Sequence, residues 1–225
     1  MAAVFITGTG TDVGKTFVAA GLIRCFRALS QPVNALKPVV SGFDPAAPSG
    51  SDPAVLLDAL GRKINLEELN LISPWRLRAP LSPDMAAQAE GRAIDFESVV
   101  DFCRGAIAGY DGVLLIEGIG GVMVPLDSCH TVLDMMVALH LPLILVAGGY
   151  LGTLSHVLCA KHVIQHHELD LCAIVVSETE NSPVPIEATL ATLANFTNVP
   201  VLGLRRHAAA AQNDAVFQQL VELIG

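Results

Sequence analysis

The 225-residue sequence has few aromatic residues, few basic residues and no long hydrophobic segment. Aromatic residues make up 5% of the chain, and 13 Lys and Arg oppose 22 Asp and Glu, giving a formal net charge of −9. This charge disfavours nucleic acid as a partner, because contacts to a phosphate backbone require clustered basic side chains. The apolar runs have the length of strands, and none approaches the roughly 20 residues of a membrane-spanning helix. We therefore expect a cytoplasmic protein with small-molecule partners and without affinity for nucleic acid or membrane.

Paired cysteines and complete metal-ligand clusters are also missing. The five cysteines include no Cys-x-x-Cys pair, so neither a disulfide framework nor a zinc site is predicted. His162 and His166 have the i, i+4 spacing of a metal pair on a predicted helix. Because no third ligand is near them in sequence, a solvated or packing role is favoured for both.

Short apolar runs alternate with segments of helical periodicity along the chain. The predicted strands are residues 4–6, 33–36, 113–116, 143–147, 171–176 and 199–202. Helices are predicted at residues 17–29, 53–60, 84–89, 96–108, 131–139, 154–167, 185–195 and 213–224. This alternation predicts one α/β domain, residues 1–225, with a mainly parallel central sheet and helices on both faces. Ligands of such sheets bind beyond the carboxyl ends of the strands, where the loops converge.

The first predicted strand leads into a glycine-rich loop, residues 8–16, with the sequence GTGTDVGKT. Glycines let backbone N–H groups turn toward a polyphosphate, Lys15 can reach the terminal phosphates, and the Thr16 hydroxyl can hold Mg²⁺. Five residues separate Gly8 from Gly14, one more than in the common phosphate-loop pattern. The segment predicts a nucleotide site of the P-loop NTPase type with a slightly enlarged loop.

Polar residues also follow other predicted strands. Lys37 and Glu117 each end a strand, and Asp52 lies at the far end of a Pro-rich loop. A carboxylate at a strand end near a phosphate loop can coordinate Mg²⁺, which prefers oxygen ligands. Taken singly, each residue has another explanation. Asp52 before Pro53 can cap a helix, Glu117 can cap the glycine turn that follows it, and Lys37 can be solvated.

Six segments together resemble the dethiobiotin synthetase family in order and spacing. They are the loop at 8–16, Lys-Pro-Val-Val-Ser-Gly at 37–42, Ser-Asp at 51–52, Ala-Pro-Leu-Ser-Pro at 79–83, Glu-Gly-Ile-Gly-Gly at 117–121 and Leu-Gly at 151–152. The resemblance extends over essentially the whole chain. It implies ATP- and Mg²⁺-dependent carboxylation and ring closure of 7,8-diaminononanoate with CO₂ to dethiobiotin, through a carbamate and a carbamic-phosphoric anhydride.

The resemblance also implies roles for individual residues. It makes Lys15 and Lys37 catalytic, and it assigns Mg²⁺ to Thr16, Asp52 and Glu117. The implied nucleotide site comprises Asp12, Val13, Gly14, Lys15, Thr16, Phe17, Asp52, Glu117, Gly118, Ile119, Gly120, Ser177 and Glu178. The implied diamine site comprises Ser41, Leu151, Gly152 and Thr153, where a helix start can receive the substrate carboxylate. Because the family's substrate site lies near a two-fold interface, a homodimer is implied as well.

Two segments depart from the family pattern at the edge expected to bind the base. Ser177 stands where the family usually has Asn, and Gly-Leu-Arg-Arg at 203–206 replaces a common Gly-x-[Ile/Leu]-Pro. A serine cannot make the bidentate contact to adenine that an asparagine amide makes. We therefore expect a relaxed preference for ATP over other nucleoside triphosphates.

Other functions fit parts of the sequence. A dimeric switch ATPase of the chromosome-partition type is the main alternative, but such proteins usually carry an additional lysine early in the phosphate loop, and residues 8–13 contain none. A cobyrinate-type amide synthetase usually needs a glutamine-hydrolysing domain, for which the chain has no room. A small-molecule kinase explains Lys37 and Glu117 less well, and a pure binding module leaves these two residues without a common purpose.

Overall fold

The computed structural model describes residues 2–180, 182–206 and 210–224, which fold around a parallel β-sheet. The strands in these residues are β1 (Ala2–Gly8), β2 (Val33–Leu36), β3 (Val39–Val40), β4 (Trp75–Arg76), β5 (Val113–Glu117), β6 (Leu143–Gly148), β7 (Leu171–Ser177) and β8 (Val201–Leu204). Six of them form the central sheet in the order β2–β5–β1–β6–β7–β8, and every pairing in it is parallel. The short strands β3 and β4 pair separately.

Helices connect these strands and cover both faces of the sheet. They are α1 (Lys15–Ala28), α2 (Asp52–Leu60), α3 (Leu66–Ile72), α4 (Pro83–Ala89), α5 (Phe96–Gly109), α6 (Val132–Leu139), α7 (Thr153–His166), α8 (Ile186–Ala194) and α9 (Ala210–Ile224). The helix α1 packs against α2 and α9, whereas α5 contacts α6 and α7 contacts α8. Successive strand residues point to opposite faces. Since every residue of β6 is buried, neither face of the sheet is open there.

The apolar runs in the sequence become the centre of the sheet. Val4, Phe5 and Ile6 of β1 are fully buried, and β1 lies between β5 and β6. A strand covered on both faces requires such an uninterrupted apolar sequence. Each large apolar side chain buried in this way contributes about 1.5–3 kcal/mol. The core thus accounts for the high hydrophobic content. Among the described residues, a helix with the length and hydropathy of a membrane span does not occur.

The predicted parallel sheet and its helices are confirmed, with one clear displacement. The last strand was predicted at residues 199–202 but lies at Val201–Leu204, where it pairs with Ile174–Ser177. Pro200 has no N–H to give to a strand ladder, so regular pairing begins after it. The carboxyl ends of β1, β2 and β5 lie side by side at one edge of the sheet.

Four short elements are missing from the sequence-based prediction, namely α3, β3, β4 and a 3₁₀ helix at Pro48–Gly50. The two strands have two residues each, too few for a period to be recognised. The helix α3 does have a sequence signal, because the Asn65 side chain accepts a hydrogen bond from the Glu68 N–H at 2.9 Å. Asparagine is a preferred N-cap residue, so this position could have indicated the start of α3.

Candidate active site

The loop between β1 and α1 is shaped by two residues with positive φ. Gly14, the N-cap of α1, has a φ of 97°, and Asp12 has a φ of 56°. Glycine reaches such values without steric penalty. A Cβ at Gly14 would also lie 2.7 Å from Ser177 Oγ, so the end of β7 packs directly on the loop. Because the first N–H groups of a helix lack intrahelical partners, the start of α1 is an anion-binding position.

Lys15, the first residue of α1, is buried and folded back onto this loop. Its ammonium donates a hydrogen bond to the Gly10 carbonyl at 2.6 Å, and 7% of the residue is exposed. Burial, together with the nearby charge of Lys37, lowers the pKa of Lys15 to about 8. A polyphosphate at the loop would therefore meet an ammonium whose charge is costly without an anionic partner.

Lys37 and Glu117 form a buried ion pair where β2 and β5 end. Lys37 Nζ lies 2.6 Å from Glu117 Oε1, and each residue is 1% exposed. The same ammonium donates to the Gly118 carbonyl at 2.8 Å and lies 3.2 Å from Asp52 Oδ2. Glu117 Oε1 also accepts a hydrogen bond from the Thr16 hydroxyl at 2.8 Å. This network ties the ends of two neighbouring strands to the starts of α1 and α2.

The charges in this network stabilise one another. Burial opposes ionisation of Asp52, but the Lys37 charge and its hydrogen bond hold the pKa of Asp52 below its usual value. Burial likewise opposes the charge of Lys37, but Glu117 and Asp52 raise the pKa of its ammonium above the usual value. Lys37 and Asp52 are therefore both charged at neutral pH.

The residues assigned to Mg²⁺ have suitable chemistry for that ion. Thr16, Asp52 and Glu117 supply a hydroxyl and two carboxylates, the hard oxygen ligands that Mg²⁺ prefers. Glu117 Oε2 is buried and has no hydrogen-bond partner among the described residues. A buried acceptor without a partner is unfavourable, and a cation that reaches it removes this cost. The donor set therefore fits Mg²⁺, whose remaining ligands are commonly waters and substrate phosphates.

All of these side chains open into one cavity of about 720 Å³. The predicted site residues that line it are Asp12, Gly14, Lys15, Thr16, Lys37, Ser41, Asp52, Glu117, Ile119 and Gly120. The lining also includes residues that had no assigned role, namely Thr11, Val40, Gly42, Gly50, Ser51, Pro80, Leu81, Ser82, Pro83 and Val124. The segment 79–83 was part of the family resemblance, whereas Val124 carries no sequence signal. The cavity thus combines charged groups with an apolar wall.

Other residues predicted to bind the nucleotide lie outside this cavity. Val13 is in the core, and Phe17 is 44% exposed with its ring centroid 6.2 Å from that of Phe217. Ser177 faces the loop at Gly14. The Glu178 carboxylate accepts a hydrogen bond from a backbone N–H at residue 206, at 3.0 Å. The assignment of these residues to the nucleotide stays a prediction.

Leu151, Gly152 and Thr153 also lie outside the cavity, at the start of α7. Gly152 caps α7 with a φ of 98°, and Leu151 is 88% exposed. Tyr150, a residue without a predicted role, lies beside them. Its hydroxyl is 3.4 Å from Thr9 Oγ1 in the phosphate loop. The start of α7 is therefore next to the phosphate loop, although it does not line the same cavity.

The predicted histidine pair on α7 stays exposed. The rings of His162 and His166 are 6.5 Å apart. In the part of the chain that the structure describes, no group of three or more His, Cys, Asp and Glu residues could hold a metal ion. Both histidines are exposed, and their solvated or packing role stays a prediction.

Comparison with known proteins finds close relatives over most of the chain. A protein-family model described as an AAA domain matches residues 2–204. The ATP-dependent dethiobiotin synthetase BioD of Acidiphilium cryptum is 49% identical over 86% of this chain and 87% of that protein. The protein of the same name from Caulobacter vibrioides is 50% identical over 87% of this chain and 88% of its own length. That of Phenylobacterium zucineum is 40% identical over 98% and 95% of the two chains.

Solved structures that resemble this chain are more distant in sequence. The cell division ATPase MinD of Pyrococcus furiosus has a TM-score of 0.57 at 15% identity, covering 100% of this chain and 98% of its own. A ParA family ATPase from Chlorobium tepidum has a TM-score of 0.53 at 15% identity, covering 99% and 92%. At such low identity the likeness concerns the fold alone. It confirms the P-loop NTPase-type architecture predicted from the sequence.

Proposed function

The chain belongs to the ATP-dependent dethiobiotin synthetase family, and from this premise we propose how its active site makes dethiobiotin. The enzyme is a ligase of biotin biosynthesis that uses ATP to carboxylate and close 7,8-diaminononanoate with CO₂. One observation carries the proposed mechanism. Two lysines and two carboxylates from four separate segments meet at one cavity beside a phosphate-binding loop.

The reaction brings negatively charged groups together. One amine of the diamine adds to CO₂ and loses a proton, which forms a carbamate. A carbamate oxygen attacks the γ-phosphorus of ATP, and ADP leaves. The second amine then attacks the carbonyl carbon of the carbamic-phosphoric anhydride, loses a proton and expels phosphate to close the ring. Since the carbamate and the γ-phosphate repel each other, neutralisation and positioning should supply most of the catalysis.

The two lysines have separate tasks in this proposal. Lys15 exchanges the Gly10 carbonyl for the terminal phosphates of the nucleotide, which restores a full ionic partner to a buried ammonium. Lys37, which lines the same cavity, stabilises the negative charge of the carbamate and the transferred phosphoryl group. The Ser41 hydroxyl, which also lines the cavity, binds the diamine or its carbamate. Thr16, Asp52 and Glu117 would hold Mg²⁺, which when bound neutralises charge on the phosphates.

The apolar wall suits the hydrocarbon part of the diamine. Val40, Pro80, Leu81 and Val124 supply apolar side chains to the cavity lining. Methylene groups that pack on such side chains are removed from water, which favours binding of the diamine by about 0.8 kcal/mol per CH₂. The substrate carboxylate is assigned to residues 151–153, as the family resemblance implies.

A homodimer is part of this proposal. Leu151 is 88% exposed, and so large an apolar side chain at the start of α7 is consistent with a surface that a second copy covers. Sedimentation should give a dimer for the wild type and a monomer for Leu151→Glu, and a monomeric wild type would contradict the proposal. That residues 1–225 act as one domain, and that the protein is cytoplasmic, stay predictions from the sequence.

We also propose a relaxed base preference. Ser177 Oγ lies against the loop at Gly14 and lacks the paired donor and acceptor of an amide. Wild-type kcat/KM should differ little among ATP, CTP and GTP, whereas Ser177→Asn should gain selectivity for ATP. A strong ATP preference in the wild-type enzyme would contradict this part of the proposal.

The direct test combines the purified protein with 7,8-diaminononanoate, bicarbonate, Mg²⁺ and ATP. Dethiobiotin and ADP should form in equal amounts, and phosphate release without the cyclic urea would overturn the function. Lys37→Ala should greatly reduce ring formation while it preserves most nucleotide binding. Lys63→Ala, at an exposed lysine, is the matched control. Near-normal turnover of Lys37→Ala would remove Lys37 from the mechanism.

The switch-ATPase alternative gains no support from the site. The likeness of the chain to MinD and ParA, at 15% identity, concerns the fold alone. The relatives at 40–50% identity are named as synthetases. No lysine occurs in residues 8–13.

A further inference from the structure

The Lys37 ammonium is surrounded by oxygen atoms of the protein, two of which accept hydrogen bonds from it. An ammonium carries three N–H donors. Lys37 Nζ has three oxygen atoms around it, Glu117 Oε1 at 2.6 Å, the Gly118 carbonyl at 2.8 Å and Asp52 Oδ2 at 3.2 Å. Its side chain is 2% exposed. In this arrangement the ammonium is held by the protein's own oxygen atoms and is enclosed, rather than presented to a carbamate or a phosphoryl group in the cavity.

The carboxylates that engage Lys37 are the same two that fit Mg²⁺. Mg²⁺ binds its oxygen ligands at about 2.0–2.1 Å and demands near-octahedral geometry. An ammonium at hydrogen-bond distance from Asp52 and Glu117 competes for their lone pairs. It also repels a divalent cation, most strongly beside Glu117, because Lys37 and Glu117 are shielded from bulk water whereas the Asp52 side chain is 44% exposed. Lys37 in this position and Mg²⁺ on both carboxylates are therefore mutually unfavourable.

We propose that Lys37 is an internal cation that keeps Asp52 and Glu117 paired until Mg²⁺ replaces it. With both carboxylates engaged by Mg²⁺, the Lys37 ammonium would be free to turn into the cavity, toward the carbamate. This proposal rests on the proposed function of the two carboxylates as Mg²⁺ ligands. It also gives a reason for the ion pair, because a buried carboxylate without a cation is strongly destabilising. If Mg²⁺ takes the place of the Lys37 ammonium, the buried Glu117 carboxylate always has a cation beside it.

Lys15 offers a matched comparison within the same cavity. It carries the same charge and lies close enough to influence the same carboxylates, but its ammonium donates to the Gly10 carbonyl. Removing Lys15 therefore removes a nearby positive charge without removing the direct contact to the carboxylates. The two lysines therefore distinguish a general repulsion of Mg²⁺ by nearby positive charge from direct competition by Lys37 for the carboxylate oxygens.

The first test measures Mn²⁺ binding to nucleotide-free protein by electron paramagnetic resonance. The Kd of Lys37→Met for Mn²⁺ should be lower than that of the wild type by about tenfold or more. Lys15→Met should gain distinctly less, and Lys63→Met should match the wild type. Equal gains for Lys37→Met and Lys15→Met, or no gain for Lys37→Met, would overturn the proposal.

The second test uses the wild-type protein, so it does not depend on whether Lys37→Met folds. Pulsed reductive methylation followed by peptide mass spectrometry measures how accessible each lysine amine is. Saturation with Mn²⁺ should raise the labelling of Lys37 severalfold and leave that of exposed Lys63 unchanged. Unchanged labelling of Lys37 would refute the exchange. Neither test requires the diamine or turnover, so a failure here is distinct from a failure to form dethiobiotin.

Discussion

Gly14→Ala tests whether the phosphate loop depends on both the backbone conformation and the close packing at its end. Gly14 has a φ of 97°, where a side chain is strained. The new Cβ would also lie 2.7 Å from Ser177 Oγ and 2.9 Å from Ser177 Cβ. Both distances are well below van der Waals contact. The substitution therefore introduces two separate penalties at one position.

The two penalties, backbone strain and overlap with Ser177, differ in size. A left-handed backbone conformation costs a residue with a Cβ about 1–2 kcal/mol. Overpacking against a well-ordered neighbour adds about 1–3 kcal/mol. The free energy of unfolding should therefore fall by about 2–5 kcal/mol if the loop keeps its shape. If the loop shifts instead, ATP affinity should fall, by tenfold for each 1.4 kcal/mol.

Two further variants separate the penalties. Gly91 also has a positive φ, 67°, but a Cβ there would meet nothing within 4 Å. Gly91→Ala should therefore lose only the conformational part, about 1–2 kcal/mol. Ser177→Gly removes both atoms that the new Cβ would approach. The double variant Gly14→Ala/Ser177→Gly should accordingly recover about 1–3 kcal/mol relative to the sum of the single changes.

Urea unfolding followed by circular dichroism gives the free energies, and isothermal titration calorimetry gives the dissociation constant of ATP. If the effects of Gly14→Ala and Ser177→Gly are additive in both measurements, the Cβ that Gly14→Ala adds does not clash with Ser177. If Gly14→Ala has the stability and ATP affinity of the wild type, the left-handed backbone at residue 14 carries no penalty either.

Three other outcomes are expected. The pKa of Lys15 is lowered to about 8, so above that pH the amine should take up a proton when ATP binds. Calorimetry in buffers of different ionisation enthalpy measures this proton uptake. It should be absent in Lys15→Met. The pKa of Asp52 is lower in the folded protein, so its stabilisation is present above the unfolded value of 3.8 and is lost as the pH falls through the folded value. Asp52→Asn should flatten thermal stability over that acidic range, and an unchanged profile would contradict the ion pair. A Cβ at Gly21 would overlap the Phe217 ring, so Gly21→Ala should lower the melting temperature by separating α1 from α9, and Phe217→Leu should partly restore it.

Prediction from sequence succeeded where the signal is local. The strand, loop and helix around residues 8–16 are contiguous, so glycine spacing and periodicity suffice to recognise them. The pair β3–β4 escaped prediction because Val39–Val40 and Trp75–Arg76 are far apart in sequence and individually too short. The start of β8 was displaced because Val199 continues the apolar pattern, while pairing begins only after Pro200.

By itself, the sequence determined the chemistry available to this protein: a phosphate loop, two lysines and two carboxylates in an order that resembles one family. Tertiary structure alone decided how they meet. Lys37 and Glu117 are 80 residues apart in the chain, and their 2.6 Å contact exists because β2 and β5 are neighbours in the sheet. The enclosure of Lys37 by oxygen atoms of the protein and the position of Leu151 outside the cavity have the same origin. Distances between segments depend on long-range packing, which no local pattern of residues encodes.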